Sequence, residues 1–266
     1  MMRICMAGAL GRMGRRILEM TVVAEDAAIG SAFDAPANAG TVLQPGAESG
    51  KGQSVTVGGD AAAAVAQADV MIDFTYAGVC LDNVRAATAA GIPSVIGTTG
   101  LSDAQMDELK VLATEQAIVY APNMSRGVNL LFYLTTVAAE KLGLDYNCEV
   151  LEMHHNLKKD APSGTAVRLA ENAAQALGLD YNEDVTHGRE GLIGERPQRE
   201  IGIHSMRGGD VIGDHTVFFV GQGERIELSH RSSTRDHYAN GALTAARFAV
   251  NAAPGFYDMQ DVLGLR

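Results

Sequence analysis

The chain is 266 residues long, 47% apolar and 20% charged, with 32 acidic against 21 basic side chains and a formal net charge of −11. That length holds one large domain or two moderate ones, each with its own core, and the composition is that of a globular protein. A surface this acidic repels nucleic acid and anionic lipid, so neither is a favoured partner, and an anionic ligand needs a local basic site working against the overall field. Cys5, Cys80 and Cys148 lie far apart with no CxxC pair, so disulfides are not expected and a reducing cytoplasm fits. The first residues run straight into a strand, so no signal peptide is expected. No apolar run approaches the ~20 residues of a membrane span.

In chain order, the pattern predicts a buried strand over 3–9 and a helix over 12–23 with Met13, Ile17 and Met20 on one face. A second strand over 28–33 ends at Asp34, and a Gly-, Pro- and Ser-rich loop covers 35–53. A short strand at 55–57, an Ala-rich helix at 61–68 and a strand at 70–74 follow. Then come a helix over 79–90, a strand at 93–96, a helix over 102–116 and a strand at 118–120. Such alternation implies a parallel sheet covered on both faces, the doubly wound class. After Pro122 the rhythm changes to a long helix (126–142), a strand (149–154), a helix (165–177) and, from 188 to 229, strands without intervening helices. A last helix spans 236–252, and periodicity does not say where it packs. The expected fold class is α/β: a doubly wound, Rossmann-type domain followed by a second, α+β domain, with the boundary near 126.

The first strand runs into Gly8-Ala9-Leu10-Gly11-Arg12-Met13-Gly14. Strict G-x-G-x-x-G spacing fails at Leu10 and Met13, but the physical requirement is met. A glycine turn lets the backbone approach a pyrophosphate, and the following helix start offers unpaired N–H groups and a positive dipole end. Arg12 is placed to reach phosphate, and Asp34 is placed to bind the hydroxyls of an adenine ribose. A plain tight turn and a solvated loop acid remain the alternatives for each taken alone. Two later strand ends, Ile96-Gly97-Thr98-Thr99-Gly100 and Tyr120-Ala121-Pro122-Asn123-Met124, fall where a doubly wound sheet holds its ligand. Their small residues leave space for a nicotinamide ring, and Thr and Asn can hydrogen-bond its amide.

The segment Glu152-Met153-His154-His155-Asn156-Leu157-Lys158-Lys159-Asp160-Ala161-Pro162-Ser163-Gly164-Thr165-Ala166 carries the most chemistry. Ser163 reads as an N-cap, which aims the N–H groups of Gly164 and Thr165 at the preceding loop. A carboxylate bound there meets a helix start and a lysine together, so an anionic substrate is expected. A histidine delivers a proton near neutral pH once a hydride has landed. Adjacent His154 and His155 point to opposite faces of a strand, and His187, His204, His215, His230 and His237 form no tight ligand spacing, so no metal site is expected.

At this point the sequence resembles the 4-hydroxy-tetrahydrodipicolinate reductases, also called dihydrodipicolinate reductases. The glycine turn, Asp73-Phe74-Thr75, Ile96 to Gly100 and the His-Lys loop carry the resemblance. So do Arg189-Glu190-Gly191 with Gly194-Glu195-Arg196, Arg207-Gly208-Gly209-Asp210 with Gly213-Asp214-His215-Thr216, and Ser229-His230-Arg231. They run in family order over nearly the whole chain. The resemblance implies an enzyme of lysine and diaminopimelate biosynthesis that uses NADH or NADPH to reduce a cyclic dicarboxylate, formed from aspartate semialdehyde and pyruvate, to tetrahydrodipicolinate. It implies a homotetramer in which residues 127–235 supply the substrate site and the subunit contacts, while 236–266 rejoin 1–126 as the dinucleotide domain.

Carried onto matching positions, His154 is the proton donor and Lys158 the second catalytic residue, while His155, Gly164 and Thr165 bind substrate carboxylates. Gly8, Ala9, Leu10, Gly11, Arg12, Met13, Asp34, Gly97, Thr98, Thr99, Ala121, Pro122, Asn123 and Met124 line the cofactor. Some members carry an arginine directly after the acid of the second strand, suited to a 2′-phosphate. Here that position is Ala35, so NADH is expected to serve at least as well as NADPH, although Arg12 is still able to serve the phosphate. Two other classes share parts of this pattern. Another NAD-dependent enzyme, such as an amino-acid dehydrogenase, needs the glycine turn but not the 158–165 loop, and a non-catalytic nucleotide sensor needs neither His154 nor Lys158.

Overall fold

The computed structural model describes residues 1–266. Along the chain lie β1 (Met2–Ala7), α1 (Arg12–Val23), β2 (Ala27–Phe33), β3 (Val42–Leu43), β4 (Val55–Thr56), α2 (Ala61–Val65), β5 (Val70–Asp73), α3 (Ala77–Ala89), β6 (Ser94–Ile96), α4 (Asp103–Leu112) and β7 (Ala117–Tyr120). They are followed by α5 (Arg126–Leu142), β8 (Asn147–His154), α6 (Gly164–Leu177), α7 (Tyr181–Asp184), β9 (Val185–His187), β10 (Ile201–Arg207), β11 (Gly213–Val220), β12 (Arg225–Ser232), α8 (Asp236–Ala249), β13 (Gly255–Tyr257) and α9 (Met259–Val262). These elements form two compact units, Met1–Arg126 with Asp236–Arg266, and Gly127–Arg235.

In the first unit six strands form one sheet in the order β13-β7-β6-β5-β1-β2, and every pair is parallel. Strands buried on both faces are apolar at successive positions, and alternate residues feed opposite layers. Ile4, Met6, Ile72, Val95 and Val119 pack with Ile17 and Leu18 of α1 and with Ala242, Leu243 and Ala246 of α8. Cys5, Ala7, Met71, Ile96 and Ile118 pack with Val84 and Ala87 of α3 and Leu109 of α4. The strand order reverses at β1, whose neighbours are β2 and β5. There the carboxyl ends diverge and open a crevice.

Local chemistry sets several helix limits that periodicity misplaces. Asp60 caps α2 by accepting the Ala62 N–H at 2.9 Å, but the expected helix over 61–68 ends at Val65 as the chain turns toward β5. The Ser102–Gln105 capping box starts α4 at Asp103, which stops at Leu112 instead of 116 because four residues unwind into β7. The tail contributes more than the expected helix. After α8, residues Gly255–Tyr257 add β13 in register with Ala117–Val119.

The second unit has a mixed five-stranded sheet, β12-β11-β8-β10-β9, parallel among β8, β10 and β9 and antiparallel among β8, β11 and β12. The expected succession of strands begins only at Ile201. Residues 188–200 form a loop instead, tied down where Arg189 bridges Glu149 at 2.7 Å and Glu200 at 2.6 Å. One face of this sheet, with Cys148, Val150, Ile201, Ile203, Val217 and Phe219, packs under Leu169, Ala170 and Ala173 of α6 and Leu131 and Phe132 of α5. The alternate residues Leu151, Met153, Met206 and Phe218 stay outside that core.

Gly241 lets α8 approach the chain just before α5, since a Cβ there would sit 1.7 Å from the Met124 carbonyl oxygen. Gly241→Ala must therefore push α8 off its seat, and overpacking of this kind costs about 1–3 kcal/mol. Urea unfolding should show a lower midpoint for the variant with an unchanged slope, and an unchanged midpoint would mean that the close approach is absent.

Candidate active site

The glycine turn is stretched between the ends of β2 and β5. Gly8 has φ +79°, and a Cβ on it would lie 2.6 Å from the Phe74 carbonyl oxygen. Gly14 lowers α1 onto the turn, where a Cβ would lie 2.1 Å from the Gly8 carbonyl oxygen. The N–H groups of Gly8 and Ala9 donate to the Phe33 carbonyl at 3.0 and 3.2 Å, and the Leu10 N–H donates to Asp34 Oδ2 at 3.0 Å. Gly11 caps α1 without a side-chain acceptor, and the first turn holds no acid. Arg12 beside it is exposed. An uncapped helix start with a spare guanidinium fits a pyrophosphate.

Asp34 Oδ1 accepts the Ala35 N–H and the Asn38 amide, both at 2.8 Å. Burial raises the Asp34 pKa, but the hydrogen bonds from Leu10, Asn38 and Ala35 outweigh it and hold the carboxyl below its ordinary range. An ionised acceptor at the end of β2 suits ribose hydroxyls. The other positions assigned to the cofactor differ in what they present. Met13 packs partly against the core. Gly97 lies under the Phe74 ring, whose Cζ would come within 2.2 Å of a Cβ there. Thr98 is buried with its hydroxyl committed to Asp73 at 2.6 Å, whereas Thr99 and Pro122 are exposed. Ala121 and Met124 are buried, and Asn123 Oδ1 accepts the Ser125 N–H at 2.9 Å.

The second unit centres on a carboxylate that the sequence reading gave no role. Glu152 is 0% exposed and sits two residues before His154, on the same face of β8. Its Oε2 lies 2.6 Å from His154 Nδ1. Arg207 holds both oxygens at 2.8 Å, and the Ser163 N–H donates to Oε1 at 3.2 Å. Burial raises the Glu152 pKa, but Arg207 and then His154 reverse this and hold it down to about 2. With Glu152 on Nδ1, the free ring nitrogen of His154 is Nε2, which faces Gly213, where a Cβ would stand 3.0 Å away. Burial lowers the His154 pKa below 6.5, with Glu152 opposing and Lys158 and Arg207 adding to the fall.

Around this pair the loop of 155–163 folds back. Lys158 Nζ donates to both oxygens of Asp160 at 2.9 and 2.8 Å, and Arg207 also donates to the Asp160 carbonyl at 2.8 Å. Ser163 caps α6, its Oγ accepting the Ala166 N–H at 3.2 Å while lying 2.9 Å from His215 Nε2. His155 follows the strand, with its Nδ1 buried and unpartnered. The structure thus ties His154, Lys158 and the Gly164–Thr165 helix start to one network. Glu152, Arg207 and His215 complete it. Two-residue spacing on a strand was enough to find Glu152, but only the register of β10 and β11 against β8 brings in Arg207 and His215.

Comparison with known proteins agrees along the chain. Residues 2–124 match the family described as "Dihydrodipicolinate reductase, N-terminus", and residues 127–263 match "Dihydrodipicolinate reductase, C-terminus". The chain belongs to the dihydrodipicolinate reductase family. Among its relatives, the 4-hydroxy-tetrahydrodipicolinate reductase of Aromatoleum aromaticum is 48% identical over 265 residues, covering 100% of this chain and 96% of the relative. That of Thiobacillus denitrificans is 45% identical over 264 residues, covering 99% of each. The solved dipicolinate-bound dihydrodipicolinate reductase from Paenisporosarcina sp. TG-14 shares the fold, with a TM-score of 0.80 at 23% identity over 98% of both chains.

In the second unit His215 is pushed down from 6.5 to about 3, first by burial and then by His154. A lowered pKa means the folded state prefers the neutral ring, so its contribution is present above pH 6.5 and is lost as pH falls toward 3. Glu152, lowered from 4.5 to about 2, adds a second loss only below 4.5. Unfolding midpoints measured between pH 6.5 and 4.5 should fall with pH in the parent and fall less in His215→Gln, and equal slopes would remove His215 as the cause.

Proposed function

We propose that this chain reduces 4-hydroxy-tetrahydrodipicolinate to tetrahydrodipicolinate with a nicotinamide nucleotide, the reaction its relatives are named for. The observation that carries the reading is the buried Glu152–His154 pair joined through Ser163 to the start of α6. It combines a proton-transfer group with a carboxylate-binding helix start, which neither a nucleotide sensor nor a general NAD scaffold requires.

The nucleotide, when bound, supplies the hydride. The first unit receives its pyrophosphate at the start of α1 and its ribose at Asp34. In the second unit the Gly164–Thr165 helix start, His155 and Lys158 hold the substrate carboxylates. Glu152 accepts a hydrogen bond from the Nδ1–H of His154, so the neutral ring takes up its second proton at Nε2. The carboxylate stabilises the imidazolium, which then delivers the Nε2 proton to the substrate. Asp160 holds Lys158 in the loop until an anionic substrate competes for the ammonium.

Asp34 with Ala35 behind it offers no cation directly after β2, so NADH is used at least as well as NADPH. The proposed compartment is the cytoplasm, in keeping with three buried free cysteines. No helix is long and apolar enough to cross a membrane. The proposed assembly is a homotetramer built on the sheet face that α6 leaves uncovered, where Met206 is 43% and Val220 37% exposed.

The deciding assay is loss of NADH absorbance when the protein meets the freshly generated condensation product of aspartate semialdehyde and pyruvate, repeated with NADPH. His154→Gln should lower kcat about 10²–10⁴-fold, the range of general acid catalysis, with NADH affinity kept. Glu152→Gln should move the pH profile to lower pH, because His154 loses the carboxylate that favours its charged form. Lost NADH binding in His154→Gln would return that residue to a structural role, and a strong NADPH preference would overturn the cofactor reading. In sedimentation, the parent should run as a tetramer and Met206→Glu as a smaller species. Unchanged mass would move the contact elsewhere.

A further inference from the structure

Asp73 closes β5 and is 0% exposed, yet no lysine, arginine or histidine pairs with it. Its Oδ1 accepts the Thr75 N–H at 3.0 Å, the Thr75 hydroxyl at 2.7 Å and the Thr98 hydroxyl at 2.6 Å. Its Oδ2 accepts the Asn83 amide at 2.8 Å. The Cys80 thiol is a further hydrogen-bond partner, and a set made only of donors fits an ionised carboxylate, which can only accept. Neutral donors spread such a charge without cancelling it. For holding two loops together, an asparagine in this position would meet most of the same donors without the desolvation of a buried charge.

The place of Asp73 in the fold decides what its charge faces. β5 flanks β1 on the side opposite β2. A dinucleotide with its ribose at Asp34 and its pyrophosphate at the start of α1 must continue across the crevice toward the ends of β5 and β6. Thr75 and Thr98 stand there, and the Thr75 N–H also donates to Thr98 Oγ1 at 2.8 Å, which joins the two strand ends over the carboxylate. The part of the nucleotide that reaches this point is the nicotinamide ring. A hydride leaving the ring carries two electrons to the substrate and leaves the ring one unit more positive. A fixed negative charge in surroundings of low polarisability attracts that form and is nearly indifferent to the neutral, reduced one.

We infer that Asp73 sets the oxidation-state preference of the nucleotide site, its uncompensated charge favouring the positively charged nicotinamide that hydride transfer produces. This rests on the nicotinamide nucleotide reading given above. Thr75 and Thr98 act as positioning residues that hold the carboxylate under the ring.

The test is equilibrium binding without substrate: NADH by its fluorescence and NAD+ by displacement of NADH. In Asp73→Asn the new amide oxygen keeps the threonine donors, and the Asn83 amide can turn to accept from the new NH2. The variant should bind NADH within about twofold of the parent and NAD+ about tenfold more weakly, an electrostatic effect on one form alone. Equal weakening of both forms, or no change in either, would overturn the inference. Asn83→Leu keeps the charge and removes one donor, so its ratio of NAD+ to NADH affinity should stay at the parent value or move toward NAD+. A fall in that ratio would count against the charge even if Asp73→Asn failed to fold. Failure of the parent to bind either nucleotide would instead strike the nucleotide reading itself.

Discussion

The second unit is organised by one constraint, the need to keep a fully buried carboxylate satisfied. Glu152 has no solvent to accept hydrogen bonds from, and an unpaired charge in such a place is costly. The chain answers with a guanidinium from β10, an imidazole from its own strand and a backbone N–H from the start of α6. Each answer fixes something else. Arg207 also holds the loop before α6, His154 acquires a defined tautomer, and the start of α6 is pinned beside both. Stability and chemistry therefore share the same atoms, and the register of β10 on β8 governs both.

The first unit follows a different logic. There the site is made by omission: an uncapped helix start, a turn without side chains at Gly8 and Gly11, and strand ends reduced to glycine and alanine. Asp34 serves two ends at once, receiving on Oδ2 the Leu10 N–H that shapes the glycine turn and on Oδ1 the Ala35 N–H and the Asn38 amide that shape the chain after β2. A glycine turn before a helix start is a general frame for a nucleotide and says little about a substrate.

Much of this was legible in the sequence because the signals are local. The limits of α1 and α5, the strand–helix alternation from β5 to β7 and the Ser163 cap each depend on neighbouring residues and appear as read. By contrast, β3 arises inside the expected loop over 35–53 and pairs with β4 in a separate two-stranded sheet. The glycine turn and the His-Lys loop were found because short segments carry them whole. What stayed hidden depends on residues far apart in the chain. β13 is three residues long and gains its partner from β7 alone. Residues 188–200 look strand-like in pattern but are held as a loop by Arg189 and Arg196 on Glu149. Arg207 and His215 join the site only through strand register, and Asp73 looks like any strand-end acid until its burial is seen.

The last strand carries a consequence for how the molecule is made. Residues Gly255–Tyr257 complete a sheet whose other five strands precede the whole of the second unit. During synthesis the nucleotide half must therefore wait, its β7 edge unpaired and its layer beneath α8 uncovered, while the intervening residues emerge and fold. An open parallel edge of this kind is a point of vulnerability in a nascent chain. The order of assembly is thus set by chain connectivity: the second unit is able to fold first, and the first unit closes only when the tail returns to it.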